Sequence, residues 1–74
     1  MNKLSNLEKI RKEKHLTRPQ LEKLSGVKAI SIYYIEKGYT NADNIKLSTL
    51  VKLAKALDCK VIDLLDEKLI RIIV

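Results

Sequence analysis

Seventy-four residues suffice for one small domain but not for a core worth more than about a few kcal/mol, so a second copy is a natural supplement. Hydrophobic residues at 46% and charged ones at 32% exclude a disordered chain and suit a small helical protein rather than a roomy enzyme. Basic residues outnumber acids 15 to 9, and residues 1 to 37 carry nine basic against four acidic groups, a surplus that points to a polyanion such as nucleic acid.

The first helix is expected from about Ser5 or Asn6 to Lys14, where Leu4, Leu7 and Ile10 recur every three residues. Next, "TRPQ" has the elements of a helix start: Thr17 caps, Gln20 is its reciprocal partner, and Pro19 falls in the first turn, where no donor is needed. That second helix runs from about Arg18 to Leu24 and stops at Ser25-Gly26. The third covers Lys28 to Lys37, with Gly38 where a left-handed cap belongs. After the polar loop "GYTNADNIK", Leu47, Leu50, Val51, Leu53, Ala54 and Leu57 mark a fourth helix, which Asp58 closes without glycine. A short fifth is expected from about Val61 to Glu67. The domain thus spans residues 1–68, leaving an apolar tail, "LIRIIV", at 69–74. Its β-branched composition favours an extended strand. The fold class is all-α, with five helices.

The lone Cys59 excludes an intramolecular disulfide and reads as a small buried apolar residue in a reducing cytosol. No stretch approaches the roughly 20 apolar residues of a membrane span, and the start lacks a signal-peptide core, so a cytoplasmic location without membrane partners is expected.

Two short helices around a glycine turn form the helix-turn-helix arrangement, whose second helix lies in the DNA major groove. At about 100° per residue, Ile32 and Ile35 point toward Leu21 and the first helix, whereas Ile30, Tyr33, Tyr34 and Lys37 point outward. In a groove, Ile30 suits a thymine methyl, a tyrosine hydroxyl reaches a phosphate or base edge, and Lys28 can donate to guanine. Arg11 falls within about 40° of Leu7 on the core-facing side of its helix, so its charge needs a partner.

The segment "LEKIRKEKHLTRPQLEKLSGVKAISIYYIEKG" with "LSTLVKLAKALDCKVIDLL" resembles the lambda-repressor and Cro-like (XRE) helix-turn-helix family over about residues 7 to 65. Leu21, Gly26, Val27, Ile32, Glu36, Gly38, Leu50, Leu53, Ala54 and Leu57 carry the likeness. The resemblance implies a five-helix DNA-binding domain, usually dimeric, that regulates transcription. It places Thr17 and Arg18 on the DNA backbone and Lys28, Ala29, Ile30 and Tyr34 at base edges, with Ser31 and Tyr33 near phosphates. It also pairs Arg11 with Glu36.

Three positions depart from the family pattern. Glu22 stands where alanine is usual, so it must splay outward or pair with a lysine. Arg18 replaces a glutamine, which favours phosphate binding. His15 replaces a glycine and is expected to cap the first helix, where the dipole favours its protonated form.

One histidine, one cysteine and two glycines provide no metal cluster, nucleophile pair or phosphate-cradling loop, so neither catalysis nor a cofactor is expected. Asp63, Asp66 and Glu67 read as a solvated helix face. The expected function is sequence-specific regulation of transcription, with repression the expected mode, by a homodimer whose half-sites lie about 34 Å apart on double-stranded DNA. Leu69, Ile70, Ile72, Ile73 and Val74 are the candidate dimer contact, since a free apolar strand edge invites its symmetry mate; folding back over the core is the alternative. A rival reading is a protein-interaction module, such as an antitoxin or anti-repressor, whose helix 3 face and tail bind a protein partner.

Overall fold

The computed structural model describes residues 4–40 and 44–65. It contains α1 (Ser5–Glu13), α2 (Arg18–Ser25), α3 (Ala29–Lys37), α4 (Leu47–Ala56) and α5 (Val61–Leu64). Helix positions follow the hydrophobic period, with one shortening. The fifth helix, expected to reach Glu67, ends at Leu64, and Leu65 is already extended. The tail residues Leu69, Ile70, Ile72, Ile73 and Val74 lie outside the described residues. No helix among the described residues is long and apolar enough to cross a membrane.

One core joins the five helices. Leu4 and Leu7 at α1, Leu21 of α2, Ile32 and Ile35 of α3, Leu50, Leu53 and Ala54 of α4, and Leu64 of α5 are buried together with Val27 and Leu57. These residues recur at the three- and four-residue spacings that align one face of a helix. The second helix packs on α3 and α4, α1 packs on α3 and α5, and α4 packs on α5. Asn6 Nδ2 donates to the Leu65 carbonyl at 2.9 Å, tying the start of α1 to the end of α5. Cys59 packs half-buried against this core. Burial pushes its thiol pKa up, with Asp63 adding to the effect, so the thiolate needed for reactivity is disfavoured.

Helix ends explain how so short a chain turns so often. At α2 the capping box is present, with Gln20 N–H donating to Thr17 Oγ1 at 3.2 Å and Thr17 N–H to Gln20 Oε1 at 2.8 Å. Three C-termini close in one way. Leu16 N–H reaches back to the Arg11 carbonyl, Tyr39 N–H to Tyr34, and Cys59 N–H to Ala54. The residue before each donor is left-handed: His15 at φ 59°, Gly38 at φ 80° and Asp58 at φ 53°. These are Schellman closures, and glycine fills only one of them. His15 stands at the C-terminus of α1 as expected and closes it through its backbone, its N–H donating to the Lys12 carbonyl at 3.0 Å.

A left-handed conformation disfavours any residue with a Cβ by roughly 1–2 kcal/mol, somewhat less for aspartate. His15→Gly is expected to raise unfolding free energy in urea by about 1 kcal/mol, and Asp58→Gly by less. A loss of stability in both variants would contradict this account of the turns.

Candidate nucleic-acid interface

The third helix is held at both ends and on its inner face. Ile32, Ile35 and Glu36 are buried, and Val27 anchors the turn before the helix. Gly26, at φ 80°, ends α2 and turns the chain. Lys28, expected within α3, is its N-cap residue and makes no side-chain cap bond. Glu22 supplies that bond from α2: Ala29 N–H donates to Glu22 Oε1 at 2.8 Å. The carboxylate therefore neither splays into solvent nor depends on a lysine. It sits where the helix dipole favours negative charge and satisfies a backbone donor that would otherwise lack an intrahelical partner.

Behind α3 lies an ionic network shared by three helices. The Glu36 side chain is fully buried and takes two arginines. Arg11 Nε donates to Oε2 at 2.7 Å and Arg11 Nη2 to Oε1 at 3.3 Å. Arg18 Nε donates to Oε1 at 2.7 Å. Arg11 Nη1 also donates to the Leu16 carbonyl at 2.8 Å, holding the α1–α2 connection. Glu8 extends the network at the surface, its Oε2 accepting from Arg18 Nη2 at 3.2 Å and from Lys37 Nζ at 3.1 Å. Arg11 and Lys12 each approach Glu8 to 3.9 Å. The Lys37 hydrogen bond, helped by the surrounding cations, holds the Glu8 carboxyl below its ordinary value.

On the outward face, Ile30 is 56% exposed and Tyr34 43%, one turn apart. Lys28 and Lys37 are exposed at the two ends, and Ala29 and Ser31 are half-buried. Tyr33, expected to point outward, is half-buried. The Arg18 guanidinium lies over its ring, 4.9 Å from the centroid, in cation–π contact. Thr17 is exposed at the start of α2. Lys28 and Glu22, with Pro19, Gln20, Lys23 and Gly26, line a notch of about 580 Å³ at the tip of α3.

By sequence Tyr39 belongs to a polar loop. Its backbone N–H donates to the Tyr34 carbonyl at 2.9 Å, which folds the loop back on α3. The rings of Tyr33, Tyr34 and Tyr39 stand 5.8–6.0 Å apart in all three pairs. The chain has three tyrosines and no Phe or Trp, so all its large aromatic rings meet at this point. The available signal was the left-handed Gly38 turn, which returns the following residue to the last helical turn.

Two short helices, a three-residue glycine turn and an outward second helix with apolar and cationic side chains define a helix-turn-helix domain. A family model described as Helix-turn-helix matches residues 7–64, and the chain belongs to that family, the XRE or lambda-repressor-like group of DNA-binding regulators. No curated protein and no solved structure matches the chain closely enough to add a relative.

Removing the Glu36 carboxylate strands the buried Arg11. Glu36→Ala is expected to cost about 3–5 kcal/mol, comparable to the few kcal/mol a core of this size supplies, read as a very early urea midpoint or loss of helical circular dichroism. Glu22→Ala loses a helix cap, worth about 1 kcal/mol, while Glu22→Gln keeps an acceptor and loses less. Glu8 contributes much less, its surface pairs being worth at most about 1 kcal/mol. Because its folded pKa is lowered, that contribution is present above the ordinary carboxylate value and vanishes as pH falls through the folded one. The stability gap between wild type and Glu8→Gln should therefore close in acid; a gap that stays constant with pH would contradict the Glu8 pairing.

Proposed function

We propose that the protein is a sequence-specific transcriptional repressor, cytoplasmic and homodimeric, that lays α3 in the major groove of its operator. The observation that carries this reading is the outward face of α3, where Ile30 and Tyr34 stand exposed behind an exposed Lys28. In this role Lys28, Ala29, Ile30 and Tyr34 meet base edges, the lysine donating to guanine and the isoleucine contacting a thymine methyl. Thr17, Arg18, Ser31, Tyr33 and Lys37 serve the backbone. Thr17 Oγ1 accepts from Gln20, so its hydroxyl hydrogen remains to be donated. Among the described residues Arg18 uses Nε and Nη2, leaving Nη1 for a phosphate. Specificity from one nine-residue helix is small, which favours two copies on a two-fold operator. The dimer contact in this reading is the tail Leu69, Ile70, Ile72, Ile73 and Val74.

A second reading, a module that binds a protein partner in the manner of an antitoxin or anti-repressor, draws on Ile30, Tyr34 and Tyr39 being exposed together. Salt separates the two, because phosphate contacts weaken steeply with ionic strength whereas apolar contacts change little.

Selection of bound sites from a random duplex library is the decisive experiment. A motif with two-fold symmetry is expected, relaxed at particular bases by Tyr34→Ala and Lys28→Ala and weakened uniformly by Arg18→Ala. Each base-reading variant should lose about 1–3 kcal/mol of discrimination at its own position. No enrichment would shift weight to the protein-binding module. Truncation after Lys68 tests the tail, since a shortened protein that still sediments as a dimer would place the contact elsewhere.

A further inference from the structure

We infer that Glu8 is an electrostatic counterweight that restrains Arg18 and Lys37 and so holds down the sequence-independent part of DNA binding; this rests on the DNA-binding reading above. The inference comes from one carboxylate set among four cations. Glu8 Oε2 lies 3.2 Å from Arg18 Nη2 and 3.1 Å from Lys37 Nζ, and Arg11 and Lys12 stand at 3.9 Å. Arg11 is committed to the buried Glu36 and to the Leu16 carbonyl. Arg18 and Lys37 come from the start of α2 and the end of α3 and are the two cations in this group assigned to the DNA backbone.

A phosphate oxygen bound to either cation would come within roughly 5–6 Å of the Glu8 carboxylate, where like charges repel appreciably even under high-dielectric screening. The lysine keeps two further N–H donors, but its charge is partly offset by the carboxylate it holds at 3.1 Å, which weakens its pull on a phosphate. Both effects act on every DNA sequence alike, because phosphate contacts carry no base information. Removing Glu8 frees Lys37, whose side chain is 40% exposed, and releases Nη2 of Arg18, while that arginine stays in place on Glu36 and the Tyr33 ring.

The test measures binding to a mixed-sequence duplex of about three helical turns across a salt series. Wild type, Glu8→Gln, Glu13→Gln and Glu8→Gln/Lys37→Ala are compared, each checked for fold by its helical circular dichroism. Glu13 is an exposed residue on the same helix, about 140° around from Glu8, so its substitution changes net charge equally without touching the cluster. Glu8→Gln is expected to bind roughly 3- to 10-fold more tightly at low salt, with a log–log salt slope steeper by about 0.9 for one added phosphate contact. Glu13→Gln should gain distinctly less, and the double variant should lose most of the gain. A folded Glu8→Gln protein that binds no better than wild type, or a gain matched by Glu13→Gln, would overturn the counterweight while leaving the DNA-binding reading intact. If no variant shows salt-dependent binding, that reading fails and the inference falls with it.

Discussion

The carboxylate of Glu36 is the constraint on which the rest of the structure depends. Its side chain is fully buried, with Arg11 from α1 and Arg18 from α2 both donating to it at 2.7 Å. A charge in that position requires partners with good geometry, or the interior is destabilised by more than the pair returns. The requirement joins three helices, and the Arg11 bond to the Leu16 carbonyl adds the connection between two of them. Hydrophobic burial would let α3 slide or roll by a small amount at little cost, being non-directional. Hydrogen bonds between guanidinium and carboxylate groups are directional, so they pin the roll and depth of a helix whose inward side Ile32 and Ile35 already choose. Ile30 and Tyr34 stand on the side opposite those anchors.

The same network redistributes the basic charge. By sequence the first half of the chain carries nine cationic groups, but these are unequal in the folded protein. Arg11 is buried. Arg18 is shared between two carboxylates and the Tyr33 ring, while Lys37 is held by Glu8. Lys28, at the tip of α3, is exposed and has no hydrogen-bond partner among the described residues. A formal charge count therefore establishes attraction to a polyanion at long range, whereas local pairing decides which cations are ready to contact it.

Glu22 and the tyrosines show how departures from a family pattern are accommodated. A carboxylate in place of alanine between two packed helices would be a defect if it lacked a partner. Here it takes the Ala29 N–H and replaces a cap that Lys28 does not provide. The Tyr33, Tyr34 and Tyr39 rings form a mutual contact that the sequence order conceals, because Gly38 reverses the chain between the second and the third. Such edge-to-face packing stiffens the surface beside α3 and joins the following loop to it.

The sequence by itself determined what depends on local period and end signals. The five helices, the Thr17–Gln20 capping box, the Gly26 and Gly38 turns and the inward Leu21, Ile32 and Ile35 follow from spacing and backbone preference, which act over a few residues. The limits of that legibility lie in particular residues. His15 and Asp58 adopt left-handed turns that residue type alone disfavours, since closure of the tertiary fold outweighs local propensity. The end of α5 at Leu64 was likewise not legible, because a single helical turn has little stability of its own and its length is decided by packing. Only the tertiary structure decided that Arg18 bridges Glu8 and Glu36, that Tyr33 lies beneath it, that Tyr39 packs on the α3 tyrosines and that Glu22 caps α3. Each of these is a contact between different elements, set by three-dimensional distance and burial, which no periodicity along the chain encodes.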